Sequence, residues 1–453
     1  MRPEGDTKVS YAVGRSVSCS GVLSKKSLTN TLLLSHNTRV KIALVLHLYQ
    51  PPTQDEAVTR KIFSQCYLPL IKLIKAKKNV SLTLNIPLSL LEQADKYGYG
   101  SWISDVKDLY ASERIELTGT AAYHPLLTKL SEESAEKQIV LNEYALGYYF
   151  GSRTGFEGEA AVMTKNIGGF FAPECAVNAE VISLVNGLGY NWILVDQTAI
   201  PNLSYDGYEP VYDTLGDLDI KIVARNKSLS DMLSFYRGSS VDTLVNSIFA
   251  GGVSQVIALD GETFGHHNPE GIDMLEDIIN VVSEKGGSFV SVYHLLPEMR
   301  TKKIDEIIES TWGASYEDMS VGNAYPYWSG NEIQKNLDVL EKLLGENQVR
   351  IPGNDGDHDT TAQPLWFYES MTDTSEETKE YLRRLFWIMK FEHSDKYWWS
   401  SKKSILGNPM LFHRGMIERS LAYVTDAANS MPEGKIKDKT LTLVRNISSM
   451  LES

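Results

Sequence analysis

Strand-like and helix-like stretches alternate along this 453-residue chain from Val40 to about Val292. That alternation predicts an α/β fold with parallel strand pairing, closed into a (β/α) barrel at this length. The polar groups His47/Gln50, Tyr123/His124, Glu174 and Asp260/Glu262 all follow strand-like runs. They therefore gather at one end, the C-terminal mouth where barrel sites form. No Gly-rich phosphate or dinucleotide loop follows the first strand, which leaves a doubly wound open sheet as the runner-up.

The first strand is Arg39-Val40-Lys41-Ile42-Ala43-Leu44-Val45-Leu46, a β-rich apolar run stopped by Pro51-Pro52. A helical pattern over 56–77 precedes a second strand, Val80 to Leu84, and helices near 88–97 and 101–112. Ile115 to Thr118 is a third strand, and a long helix spans 132–151. Gly168-Gly169-Phe170-Phe171-Ala172 then runs into Pro173-Glu174-Cys175, with a helix near 179–188 behind it. Further strands are Asn191–Val195, Ile220–Ala224, Ser254–Leu259 and Phe289–Val292, with a helix near 271–285 before the last. Beyond about residue 300 the strand signal fades, and helices are expected near 331–345, 376–392, 411–428 and 436–451. The chain thus divides into a flexible, Ser/Thr-rich extension over 1–38, a catalytic barrel over 39–300, and a helical region over 301–453 packed on it.

The chain is 42% hydrophobic, enough for a sizeable core, and its net charge of -14 speaks against nucleic acid as a partner. Neutral polar substrates suit it better. No apolar run approaches the roughly 18 residues of a membrane span. Cys19, Cys66 and Cys175 are too few and oddly numbered for a disulfide framework, so free thiols and a cytoplasmic location are expected. No cofactor is implied, and no Cys or His cluster has metal-ligand spacing. Asp355-Gly356-Asp357-His358-Asp359 resembles a calcium loop but has Thr360 and Trp366 where Gly and Glu are needed, so a solvated loop is the reading.

Glu174 and Asp260, each ending a strand, suit paired-carboxylate cleavage of a glycosidic bond, one attacking and one donating a proton. Either could take either part on chemistry alone. Glu262, two residues on, could raise Asp260 toward the range a general acid needs. His47, His124, His266 and His267 could bond sugar hydroxyls.

Several motifs resemble glycoside hydrolase family 57, an α-amylase and 4-α-glucanotransferase family. His47-Leu48-Tyr49-Gln50-Pro51 is similar to its first motif, Glu116 to Leu127 to its second, and Phe171-Ala172-Pro173-Glu174 to its third. Asp260-Gly261-Glu262-Thr263-Phe264-Gly265 is similar to the fourth, and Ser394-Asp395-Lys396-Tyr397-Trp398 to the later Asp-x-x-Trp segment. The resemblance implies a (β/α)7-type parallel barrel followed by a C-terminal helical region. It implies Glu174 as nucleophile and Asp260 as acid/base, with His47, Gln50, Tyr123, His124, Phe171, Glu262, His266, Asp395 and Trp398 binding an α-glucan or malto-oligosaccharide. Tyr49 and Phe171 depart from the usual His and Trp of the first and third motifs, which bears on substrate preference.

The expected function is a retaining α-glucan hydrolase or transglycosylase working through a covalent glycosyl-enzyme. The alternatives are a metal-dependent carbohydrate-active barrel enzyme, of deacetylase or α-mannosidase type, and a non-catalytic glycan-binding protein.

Overall fold

A computed structural model describes residues 40–151, 167–201, 210–214, 218–235, 240–299, 301–346, 375–402 and 412–452, all within one compact unit, Arg39–Ser453. The expected extension over 1–38, Cys19 and the calcium-like loop at 355–359 lie outside the described residues. No helix among the described residues is long and apolar enough to cross a membrane.

The strands are β1 (Lys41–His47), β2 (Leu82–Asn85), β3 (Ile115–Gly119), β4 (Gly169–Phe171), β5 (Trp192–Asp196), β6 (Val211–Thr214), β7 (Lys221–Arg225), β8 (Gln255–Asp260), β9 (Ser288–Val290) and β10 (Lys302–Ile304). They form one sheet in the order β10-β6-β7-β5-β4-β3-β2-β1-β8, with β9 paired to β1. The run from β7 to β8 holds seven strands, all parallel; β6, between β10 and β7, is antiparallel to β7. The sheet is curled into the expected (β/α)7 form. Polar contacts join the two ends of the seven-strand run, β7 and β8: Asn226 N–H donates to Val256 O at 2.7 Å, Arg225 Nη1 donates to Ala258 O at 2.8 Å, and Ser230 Oγ accepts from Ala258 N–H at 3.1 Å.

Strand side chains alternate in direction, and here that rule divides the core. Ile42, Leu44 and Leu46 of β1 pack outward against the helices, while Ala43 and Val45 point inward with Trp192, Leu194, Val223, Val256 and Ala258. His47 and Asp260 continue the inward rows of β1 and β8, where they are register partners. At the other end of the barrel, Glu116 accepts from Thr83 Oγ1 at 2.8 Å, Tyr293 N–H at 3.0 Å and Trp192 Nε1 at 3.2 Å, closing the floor.

The helix expected over 56–77 is interrupted by a π-turn at Phe63–Tyr67, whose widened backbone fits close under the loop after β8. Cys66 Sγ meets Gly261 O at 3.1 Å, and a Cβ on Gly265 (φ +115) would stand 1.9 Å from Gln65 O, so only glycine fits there. Strand β6 and the helices Lys227–Ser234 and Val241–Phe249 had no clear sequence signal. The helices Glu332–Glu346, Glu376–Phe391, Arg414–Asn429 and Lys435–Glu452 share a separate core that includes Leu337, Phe391, Ile417 and Val424. The sheet extends slightly past residue 300, since β10 pairs with β6.

Gly169 lies beside its register partner Trp192, and an added Cβ would stand 2.0 Å from the indole. Gly169→Ala is therefore expected to destabilise the protein by about 1–3 kcal/mol through overpacking. Urea unfolding checks this; an unchanged midpoint would mean that the indole moves aside freely.

Candidate active site

The mouth of the barrel holds a column of stacked rings. Phe171 lies on His47 at 5.0 Å, His47 on His124 at 4.6 Å, and His124 on Tyr49 at 4.1 Å. Asn85 gives its amide to Thr118 Oγ1 at 2.9 Å, so its Oδ1 accepts from His47 Nδ1 at 2.6 Å. His47 Nε2 is then a bare acceptor, buried and without a protein partner. Burial lowers the affinity of both imidazoles for a second proton and keeps them neutral.

Glu174 follows β4 in a left-handed backbone conformation (φ 59), as does Cys175 (φ 46). This is sparsely populated for residues with a Cβ, and such strain concentrates at functional sites. The turn is fixed from outside: Glu174 O accepts from Trp312 N–H at 3.0 Å, and Val177 bridges to Ser310. Each carboxylate oxygen has its own donor. Ser394 Oγ donates to Oε1 at 2.7 Å, and Trp312 Nε1 donates to Oε2 at 2.8 Å. Since Ser394 spends its proton on Glu174, it accepts from His124 Nδ1 at 3.0 Å. That leaves His124 Nε2 as a second buried bare acceptor. Burial, then the Asp395 and Asp260 carboxylates, push Glu174 up to about 8 against the pull of its two donors.

Asp260 ends β8 opposite His47, and burial raises it above the usual carboxylate range while His47 and Arg225 oppose the rise. Glu262 sits behind it. Its Oε1 accepts from Tyr67 Oη, from Gln50 Nε2 at 3.1 Å and from Tyr49 N–H at 3.3 Å. Burial and then Asp260 push Glu262 up to about 8. Asp395 accepts from Tyr49 Oη at 2.7 Å and lies 3.5 Å from His393 Nδ1. Arg225, buried at the barrel seam, bonds Asp196 and Asp231 and stacks 5.6 Å from Trp312.

The structure thus brings together His47, His124, Phe171, Glu174, Asp260, Glu262 and Asp395. Gln50 belongs to the support of Glu262 rather than to the open side of the mouth. Three expected ligands are placed elsewhere. Tyr123 is fully buried with its hydroxyl on Glu92 at 2.9 Å, because helix packing behind β3 claims the ring. His266 turns to Gln65 Oε1 at 3.0 Å on the π-turn. Trp398 packs on Tyr327 and Trp328 at 5.0 and 5.5 Å in the helical region. Sequence reasoning passed over Trp312 and Asn85, which lie in no motif, and placed Ser394 only as the first residue of the Asp-x-x-Trp segment, without a role; it noted Tyr49 only as a departure. Among the described residues no three His, Cys, Asp or Glu side chains form a group that could hold a metal ion.

The profile of glycosyl hydrolase family 57 matches residues 30–309, well over half of the chain. No curated protein matches it by sequence. Among solved structures, the exo-type maltose-forming amylase of Pyrococcus sp. ST04 superposes with a TM-score of 0.65 at 12% identity, over 89% of this chain and 82% of that one. The branching enzyme of Thermococcus kodakaraensis gives 0.62 at 13% identity, over 91% and 95%. The 4-α-glucanotransferase of Thermococcus litoralis gives 0.59 at 15% identity, over 87% of this chain, which spans 59% of that enzyme's length. At these identities the likeness is one of fold.

Trp312→Phe removes the indole donor from Glu174 while keeping an aromatic ring. Glu174 should then hold its proton to higher pH, by about one unit for the loss of one charge-assisted hydrogen bond. Carbon-13 carboxyl titration measures this directly; a fall in the midpoint would contradict the assigned bond.

Proposed function

The chain belongs to glycosyl hydrolase family 57, and from that premise we propose that it is a retaining hydrolase or transglycosylase of α-glucans. The observation that carries the reading is the pair of part-buried carboxylates at the ends of β4 and β8, one of them clamped by two donors. The structural neighbours named as amylase, branching enzyme and glucanotransferase support malto-oligosaccharides as the substrate class. Free, buried thiols at Cys66 and Cys175 support a cytoplasmic location.

Glu174 is the nucleophile. Donors on both oxygens fix its orientation and favour the anion that attacks the anomeric carbon. Asp260, raised by burial, gives a proton to the leaving oxygen, then removes one from the incoming water or sugar hydroxyl. His47 and His124 present bare Nε2 atoms, which demand hydroxyls that donate. Activity should therefore rise with pH as Glu174 ionises and fall as Asp260 loses its proton. The two limbs belong to the coupled set of carboxylates rather than to either residue alone.

Azide separates the two roles. In Asp260→Ala the glycosyl-enzyme forms from an activated glycoside, and azide attacking it gives the α-azide. In Glu174→Ala azide replaces the missing nucleophile and gives the β-azide. Each substitution should lower turnover of maltoheptaose by at least about 10²–10⁴-fold. The opposite pairing of anomers would reverse the assignment, and initial release of β-configured product would rule out retention. With the parent protein, a ladder of longer and shorter chains marks transfer, and shorter chains alone mark hydrolysis.

A further inference from the structure

The helix Glu376–Phe391 ends at Glu392, and the next three residues each bond a different part of the molecule. His393 Nε2 bonds Ser420 Oγ at 2.8 Å, Ser394 Oγ donates to Glu174 at 2.7 Å, and Asp395 accepts from Tyr49 at 2.7 Å. Behind this turn lies Lys396, whose side chain is wholly buried. Its ammonium has three protons and three acceptors: Glu341 Oε2, Glu392 O at 2.9 Å and His393 O at 3.1 Å. The rings of Tyr397 and Phe391 stand 4.2 and 4.9 Å from it. Glu341, itself buried, comes from the helix Glu332–Glu346. Glu392 takes Gln138 Nε2 at 2.7 Å, and Lys129 lies beyond the Tyr397 ring at 4.6 Å.

Desolvating an ammonium and a carboxylate offsets most of their attraction, and apolar residues of similar volume serve stability as well or better. What the pair supplies is direction. Two of the three bonds hold the peptide carbonyls of Glu392 and His393, the units just before Ser394, and the third ties them to a second helix. We propose that Lys396 is a positioning residue, bracing the Glu392–Lys396 turn against the helix Glu332–Glu346 so that the Ser394 hydroxyl reaches Glu174. The proposal rests on the reading of Glu174 as nucleophile, and it assigns the C-terminal helices a part in setting that nucleophile.

The test uses the full chain and the double substitution Lys396→Met/Glu341→Leu, which removes both charges together. Glu174 is faced by Asp395, Asp260, His124 and Tyr49, none of which is altered. Its titration is read in nitrogen-15-labelled protein through the Trp312 indole N–H bonded to it, assigned with Trp312→Phe. The midpoint should move up by about one pH unit as the Ser394 bond loosens. Ser394→Ala should move it as far, and adding it to the double variant should move it little further. On maltoheptaose, kcat/KM should fall about tenfold or more with the loss in kcat. An unmoved midpoint, or a shift that adds in full to that of Ser394→Ala, overturns the proposal. If the double variant fails to fold, Glu341→Gln takes its place. It keeps an acceptor and should move the midpoint the same way by less; no movement overturns the proposal equally. If the parent protein does not act on maltoheptaose, the α-glucan reading falls while the titration still decides the role of Lys396.

Discussion

Glu174 is a carboxylate largely withdrawn from water with Asp395 and Asp260 bearing on it, and the mouth of the barrel is arranged around keeping it ionisable. An isolated buried carboxylate would simply hold its proton. Here two donors arrive from segments remote in sequence, Trp312 from the crossing after the barrel and Ser394 from the helical region. His124 then completes a chain of three groups, His124–Ser394–Glu174, in which each proton has one place to go. The helical region is therefore part of the site, because without Ser394 one oxygen of Glu174 would lose its donor.

The support can be followed outward to the seam of the sheet. Arg225 bonds Asp196 across β5 and β7, reaches Ala258 O on β8, and stacks on Trp312. Lys227 Nζ donates to Trp312 O at 2.9 Å. Arg225, which joins β7 to β8, thus also stands on the indole that bonds Glu174, and Lys227 holds the backbone of the same tryptophan. Arg suits this place better than Lys: it stays charged when buried and its planar head bonds and stacks at once.

The fold was legible because near-continuous apolar runs rich in β-branched residues mark parallel barrel strands buried on both faces, as in Lys41–His47 and Gln255–Asp260. Strand β6, four residues between β10 and β7 and antiparallel to β7, carried no such mark. At the site, a side chain just after a strand end was readable as facing the mouth, which located His47, Glu174 and Asp260. It failed for Tyr123, since the loop after β3 turns at His124 (φ 60) and sends the two neighbours to different sides. The roles of Trp312, Ser394 and Lys396 were beyond sequence reasoning for another reason, although the last two stand in the Asp-x-x-Trp segment. Their meaning lies in contacts spanning 138, 220 and 55 residues, and no local pattern encodes such a meeting.

Holding these acids inside the protein opposes folding, and the sign fixes where. Glu174, Glu262 and Glu392 are each pushed to about 8 from an ordinary 4.5, in every case first by burial. Between those values the folded chain keeps protons that the unfolded chain has released, so stability declines as pH rises through that window. Below it the acids are neutral in both states and no such penalty exists. Above about 8 the penalty is complete, since both states are then ionised. For Glu174 and Glu262 the same burial that opposes the fold leaves an acid able to give up or hold a proton near neutrality. Glu392 has no such use. It lies beside Lys396 and bonds Gln138, so its burial belongs to the turn that presents Ser394. Stability is thus lost at two levels of the same structure, at the carboxylates that react and at the turn that orients them.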